Sequence, residues 1–96
     1  MPLGYYIEEI QKEIKLKEGC DSIYLESVHV KEVRRDQIVW KGSVEVFQLH
    51  GHPKAERCYA WGYGVPGQVN YVIALETPKV NSPLAAVRVF IAAEKL

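Results

Sequence analysis

Between Cys58 and Gly64, large and small side chains alternate without a break. Tyr59, Trp61 and Tyr63 share one parity, and Cys58, Ala60, Gly62 and Gly64 share the other. A strand sends successive side chains to opposite faces. This segment therefore fits a strand with three rings on one face and almost nothing on the other. It runs into Val65-Pro66-Gly67-Gln68. Proline presets the second position of a type II turn, and glycine supplies the positive φ of the third. A second run, 69–76, follows. If Pro66 and Gly67 close a two-residue loop, Tyr63 faces Asn70, Trp61 faces Val72 and Tyr59 faces Ala74. Gly62 then faces Tyr71, and Ala60 faces Ile73. Small residues opposite large ones leave room for a covering helix.

The rest of the chain supplies the other elements. Leu3, Tyr6, Ile7, Ile10 and Ile14 recur at three- and four-residue steps, which makes one apolar stripe on a helix. Pro2 suits its first turn, and Gly19 is a natural stop. On its polar face, Glu8–Lys12 and Glu13–Lys17 are spaced four apart with the acid first, the better orientation. Two strands are predicted near 23–34 and 37–49, turning at Arg35-Asp36. The first changes parity from Ile23 and Leu25 to Val28 and Val30, as a bulge near Glu26-Ser27 would cause. In the second, Ile38, Trp40, Val44 and Val46 alternate with Lys41, Ser43 and Glu45. His50-Gly51-His52-Pro53 makes a turn, and the ring-bearing strand spans 55–64. Near the end, Ser82 fits a helix cap with Pro83 at the first position. Leu84, Val87, Ile91 and Ala92 would be its buried stripe. The β-branched run 87–91 also fits a fifth strand.

With an odd-length loop after His50, the ring face carries Lys41, Ser43 and Glu45. The helix-covered face then collects Trp40, Val44, Val46, Ala60, Ile73 and Leu75. The expected fold is thus α+β: an N-terminal helix, a four-stranded antiparallel meander and a C-terminal helix, with both helices on one sheet face. A one-residue slip would move the rings into the core instead.

Composition narrows the function classes. The 96 residues are read as one domain, 1–96, 48% hydrophobic, too apolar for disorder. A chain of this size buries roughly two-thirds of its unfolded surface. Twelve basic residues balance twelve acidic ones, which counts against a strongly basic nucleic-acid surface. No apolar run approaches ~20 residues, and the acidic start lacks the order of a signal peptide. Cys20 and Cys58 are expected as free thiols in a cytoplasmic protein.

Candidate chemistry is sparse. His50, His52, Glu56 and Cys58 are metal-ligand types, but their spacing matches no strong zinc signature, so no metal is assigned. Cys58 with a histidine base lacks an orienting group and an oxyanion site, so no catalytic residue is assigned. Glu45 beside rings is the best acid/base candidate, since an apolar setting raises a carboxylate pKa. Gly62 to Gly67 lacks the Lys-Ser/Thr ending of a phosphate loop. No cofactor is expected. An exposed aromatic face marks an interaction site, so the binding residues are Tyr59, Trp61, Tyr63, Glu45 and Lys41. The leading expectation is a small binding module that self-associates as a dimer through that face. From another class comes a small-molecule binder or enzyme using the same face, with Glu45 or His50 and His52 as polar groups. Third is a single-stranded nucleic-acid binder, with Lys41 and Arg57 beside the stacking rings.

Overall fold

A computed structural model describes residues 3–65 and 67–94, with side chains from Tyr5 onward. Helix α1 (Leu3–Glu18) is followed by strands β1 (Asp21–Arg34), β2 (Gln37–His50), β3 (Arg57–Val65) and β4 (Gln68–Leu75), and then by helix α2 (Pro83–Glu94). The strands form one antiparallel sheet in the order β1-β2-β3-β4. This is the expected α+β fold, and 83–94 is helix rather than a fifth strand. Pro2 lies outside the described residues, as do the side chain of Leu3 and the part of the β3–β4 turn that rests on Pro66. No helix among the described residues is long and apolar enough to cross a membrane.

Local chemistry explains the boundaries. Gly19 takes φ 72 just past α1, and its N–H donates to the Lys15 carbonyl at 3.0 Å, the left-handed helix end that glycine favours. Ser82 caps α2 by accepting the Ala85 N–H at 3.1 Å. Arg35 and Asp36 both take positive φ, 53 and 62, which lets two residues close the β1–β2 hairpin with the right twist. Gly64 has φ 120, and a Cβ there would stand 2.5 Å from the Gln68 carbonyl oxygen, so no other residue fits unstrained.

The β3–β4 register is the one counted from Pro66-Gly67: Tyr63 faces Asn70, Trp61 faces Val72 and Tyr59 faces Ala74. A bulge does interrupt β1, between Tyr24 and Glu26, one to two residues before the expected place.

The two helices lie on opposite faces of the sheet, which corrects the expectation that both cover one. On one face, Ile7, Ile10 and Ile14 of α1 pack with Phe47, Leu49, Cys58 and Ala60. On the other, Ala86, Val87 and Ile91 of α2 pack with Val30, Val44, Val46, Tyr59 and Trp61. Arg88 of α2 also donates from Nε to buried Glu32 of β1 at 2.7 Å. A sheet apolar on both faces needs a cover on each, because exposed apolar area is unfavourable in water. The parity of β2 is corrected with it. Val46 pairs with Tyr59, and Glu45 with Ala60. Trp40, Val44 and Val46 therefore share the ring face, while Lys41, Ser43 and Glu45 share the face of Ala60, Ile73 and Leu75.

Both helices should matter to the same degree. Ile10 is fully buried and Ile91 nearly so. Truncating either to alanine should cost about 2–5 kcal/mol in urea denaturation. A full loss for Ile10→Ala beside a negligible one for Ile91→Ala would mean that α2 does not seal its face.

Candidate functional site

The two hairpins do not stay paired along their whole length. β1 and β2 pair as far as Arg34 and Gln37, and β3 and β4 as far as Val65 and Gln68. Between the hairpins, β2 pairs with β3 only from Gln48–Arg57 to Glu45–Ala60. Beyond Glu45 and Ala60 the sheet opens into a cleft of about 270 Å³, lined by Tyr6, Trp40, Lys41, Gly42, Ser43, Glu45, Trp61, Gly62 and Tyr63.

Each wall has a physical origin. On the α2 side, Trp40 and Trp61 meet edge to face at 5.4 Å, a favoured aromatic geometry. Trp61 continues onto Phe90 of α2 at 5.5 Å, and Phe90 onto Tyr63 at 5.7 Å. On the α1 side stands Tyr6, whose hydroxyl oxygen accepts the Gly62 N–H at 2.7 Å. That N–H has no strand partner, since β2 has turned away. Glycine gives the ring room, because a Cβ at position 62 would stand a tight 3.2 Å from side-chain atoms of Tyr6, Tyr71 and Val69, each of which would have to give by a few tenths of an ångström. The Tyr6 hydroxyl, once its oxygen has accepted Gly62, keeps its own proton to donate. Its pKa lies above the ordinary phenol value, chiefly because of burial, partly offset by the Gly62 N–H and raised further by Glu45.

Glu45 sits where the hairpins part, 1% exposed. The Tyr24 hydroxyl donates to one carboxylate oxygen at 3.4 Å and the Ser27 hydroxyl to the other at 3.2 Å. The β1 bulge makes this possible. Residues three apart on a regular strand face opposite ways, but the extra residue between Tyr24 and Glu26 turns Tyr24 and Ser27 to one face. Burial, and then the Glu45 charge, raise the Tyr24 pKa as well. No cation pairs with Glu45 among the described residues. The Trp61 indole N–H is also buried without a partner among them.

The expected binding residues thus divide. Glu45, Lys41, Trp61 and Tyr63 come together at the cleft, with Lys41 and Tyr63 exposed at its rim. Tyr59 does not join them. It is buried beneath α2, and its hydroxyl donates to Glu76 at 3.0 Å. Trp40, Gly42, Ser43, Gly62 and Tyr6 belong to the cleft and were not among the expected site residues. Two sequence signals could have found them: glycines Gly42 and Gly62 in otherwise regular strands, and a tyrosine at the edge of the α1 stripe. Tyr59 and Trp61, at 3% and 2% exposure, have no free face on which a base or a second chain could stack.

The remaining candidates are structural. Nδ1 of His52 accepts the Lys54 and Ala55 N–H groups at 3.0 and 3.1 Å. Nε2 therefore carries the proton and donates to Glu18 at 2.9 Å. Both ring nitrogens are engaged in holding the turn onto α1. His50 is exposed on the same turn, outside the cleft. No three His, Cys, Asp or Glu side chains converge as a metal-binding group among the described residues. Burial pushes the Cys58 thiol up to about 12, far from the reactive thiolate range.

No protein-family model matches this sequence, and no curated protein or solved structure matches it at a significant level. The geometry alone carries the functional reading.

Tyr59 yields a pH test. Burial, then the hydrogen bond to Glu76, raise its pKa from 10.0 to about 12. Its folded pKa exceeds the unfolded one, so its contribution to stability is complete below the unfolded value and is lost as pH climbs through the folded one. Urea midpoints measured upward from about pH 9 should fall less steeply for Tyr59→Phe than for wild type. Parallel slopes would mean that the buried phenol adds nothing to alkaline unfolding.

Proposed function

We propose that this protein is a small-molecule-binding domain whose ligand occupies the cleft between the two hairpins. One observation carries the reading: Glu45 is buried at the inner end of an open cleft, and among the described residues its carboxylate is met by two neutral hydroxyls and no cation. Apolar walls with a few placed polar groups are the usual make-up of such sites, and roughly 300–1,000 Å³ is their usual size. A cleft of about 270 Å³ suits a small ligand. Trp40 and Trp61 supply the apolar wall, Glu45 the deep polar anchor, and Tyr6 a hydroxyl. The site serves binding. An enzymatic version would use Glu45 as its general base. The cytoplasmic placement belongs to the same reading and is supported by the two buried free thiols.

A second reading, self-association, is supported by apolar residues at the hairpin tips. Ile38 on one tip and Val65 on the other are 55% and 58% exposed, with Val33, Val39 and Val69 beside them. This moves the dimer contact away from the rings, which α2 covers, and out to the mouth of the cleft. Exposed apolar surface gathered at such tips is the kind that marks interaction sites.

The chain's two tryptophans both line the cleft, so its intrinsic fluorescence reports on any occupant. A fragment library screened by tryptophan emission should return binders whose amide shifts cluster at residues 40–45 and 61–63. Ser43→Phe, which fills the cleft from an exposed position, should abolish these responses at unchanged stability. Binders that survive Ser43→Phe, or shifts gathered elsewhere, would remove the cleft as the site. Sedimentation over a concentration series tests the second reading. Self-association there should give way to a monomer in Ile38→Lys, and a wild type that stays monomeric at every concentration rejects it.

A further inference from the structure

Glu32 and Glu45 are the two buried carboxylates among the described residues, and they are compensated in different ways. Glu32 faces two guanidinium groups. Arg88 reaches it at 2.7 Å from Nε and at 3.5 Å from Nη2, and Arg34 at 3.5 Å. Its pKa is held below the ordinary carboxylate value, first by the Arg88 hydrogen bond. Glu45 has no such partner. Its hydroxyl contacts, at 3.2 and 3.4 Å, are long beside the roughly 2.5–2.7 Å of strong O–H···O⁻ bonds. A buried carboxylate stays charged at low cost only when a cation or several strong donors replace its water. For Glu32 the chain itself provides the cation. For Glu45 it provides an open cleft.

We infer that the cleft takes a small organic cation, a protonated or quaternary amine, with its charge at Glu45 and its apolar body against Trp40, the half-buried one of the two tryptophans. The inference rests on the cleft being a ligand site. Three features select this class. Indole is the best aromatic partner for a cation within about 6 Å of the ring, and half-buried Trp40 lines the same cleft as Glu45. An anion would meet Glu45 at the deep end. A metal ion would lack ligands, since among the described residues no second carboxylate, thiol or imidazole lines the cleft and Ca²⁺ alone takes about six to eight oxygens.

Lys41 adds a constraint on the outer end of the ligand. It lies on the same face of β2 as Glu45, four residues along the strand, or roughly 13 Å at ~3.3 Å per residue, at the exposed rim. Its ammonium repels a second positive charge and favours an acceptor there. The preferred ligand is therefore a monocation, with any negative or acceptor group pointing outward.

The test compares probes of one shape and different charge on the wild-type protein: benzylammonium, benzyl alcohol and benzoate, read by tryptophan emission and by the amide shifts of residues 40–45 and 61–63. Benzylammonium should bind at least tenfold tighter than benzyl alcohol, and benzoate weakest. In Glu45→Gln the preference for benzylammonium over benzyl alcohol should collapse while benzyl alcohol is retained. The wild-type comparison stands even if the variant folds poorly. Equal binding of benzylammonium and benzyl alcohol in the cleft would overturn the cation while leaving the cleft as a ligand site. Preference for benzoate would do the same. If none of the three probes perturbs either tryptophan or the cleft amides, the cation inference falls, and a fragment screen that is also silent there takes the binding site with it.

Discussion

Four residue pairs between β2 and β3, from Gln48–Arg57 to Glu45–Ala60, hold two long hairpins in one sheet. Everything else in the molecule is arranged around that short seam. Phe47, Cys58 and Ala60 lie on one side of it under α1, and Val44, Val46 and Tyr59 on the other under α2. Three of the four seam pairs, from Glu45–Ala60 to Phe47–Cys58, are buried, while Gln48 and Arg57 at the outer end are exposed, so the inner part of the seam lies at the centre of both cores. The pairing could continue only if the strands stayed about 4.7–4.9 Å apart. Tyr6 occupies the gap on one face and the Trp40–Trp61 pair spans it on the other. The cleft is the space these rings hold open between hairpins that the seam still ties together.

This arrangement brings an unusual group to the inner end of the cleft. The residue at the last pair of the seam must be buried, because both helices and both hairpins converge there. At that position β2 carries a glutamate. The β1 bulge turns Tyr24 and Ser27 toward it, and no basic side chain among the described residues lies within ion-pair distance of it. The contrast with Glu32, bound by Arg88 and Arg34, shows that the same fold compensates a buried carboxylate internally where it lies beneath a helix. A buried group left to weak partners beside open space calls for an explanation, and the proposed ligand site is the one offered for Glu45.

Local patterns were legible in the chain. The Pro66-Gly67 signal set the β3–β4 register, because a two-residue loop leaves one way to pair the flanking runs. The change of parity after Leu25 announced the bulge, and Ser82-Pro83 announced the start of α2. The site was legible only in part. Glu45, Lys41, Trp61 and Tyr63 stood out as residues, but Tyr6, Trp40, Gly42 and Gly62 did not. Their role depends on hairpins parting, and strand propensity is the same in paired and unpaired segments.

By itself the sequence determined the elements, their order and the hairpin that carries the rings, since these follow from alternation, caps and turn residues within a few positions of one another. Tertiary structure alone decided how β2 meets β3 and which face each helix covers. The segment joining those strands contains no residue that dictates its length in pairs, and a shift of one residue exchanges the two faces of a strand. The choice fell to burial. The register that puts Val44 and Val46 beside Tyr59, and Phe47 beside Cys58, gives both faces an apolar centre, and two helices are available to cover them. The same choice carried Glu45 from the ring face to the inner end of the cleft.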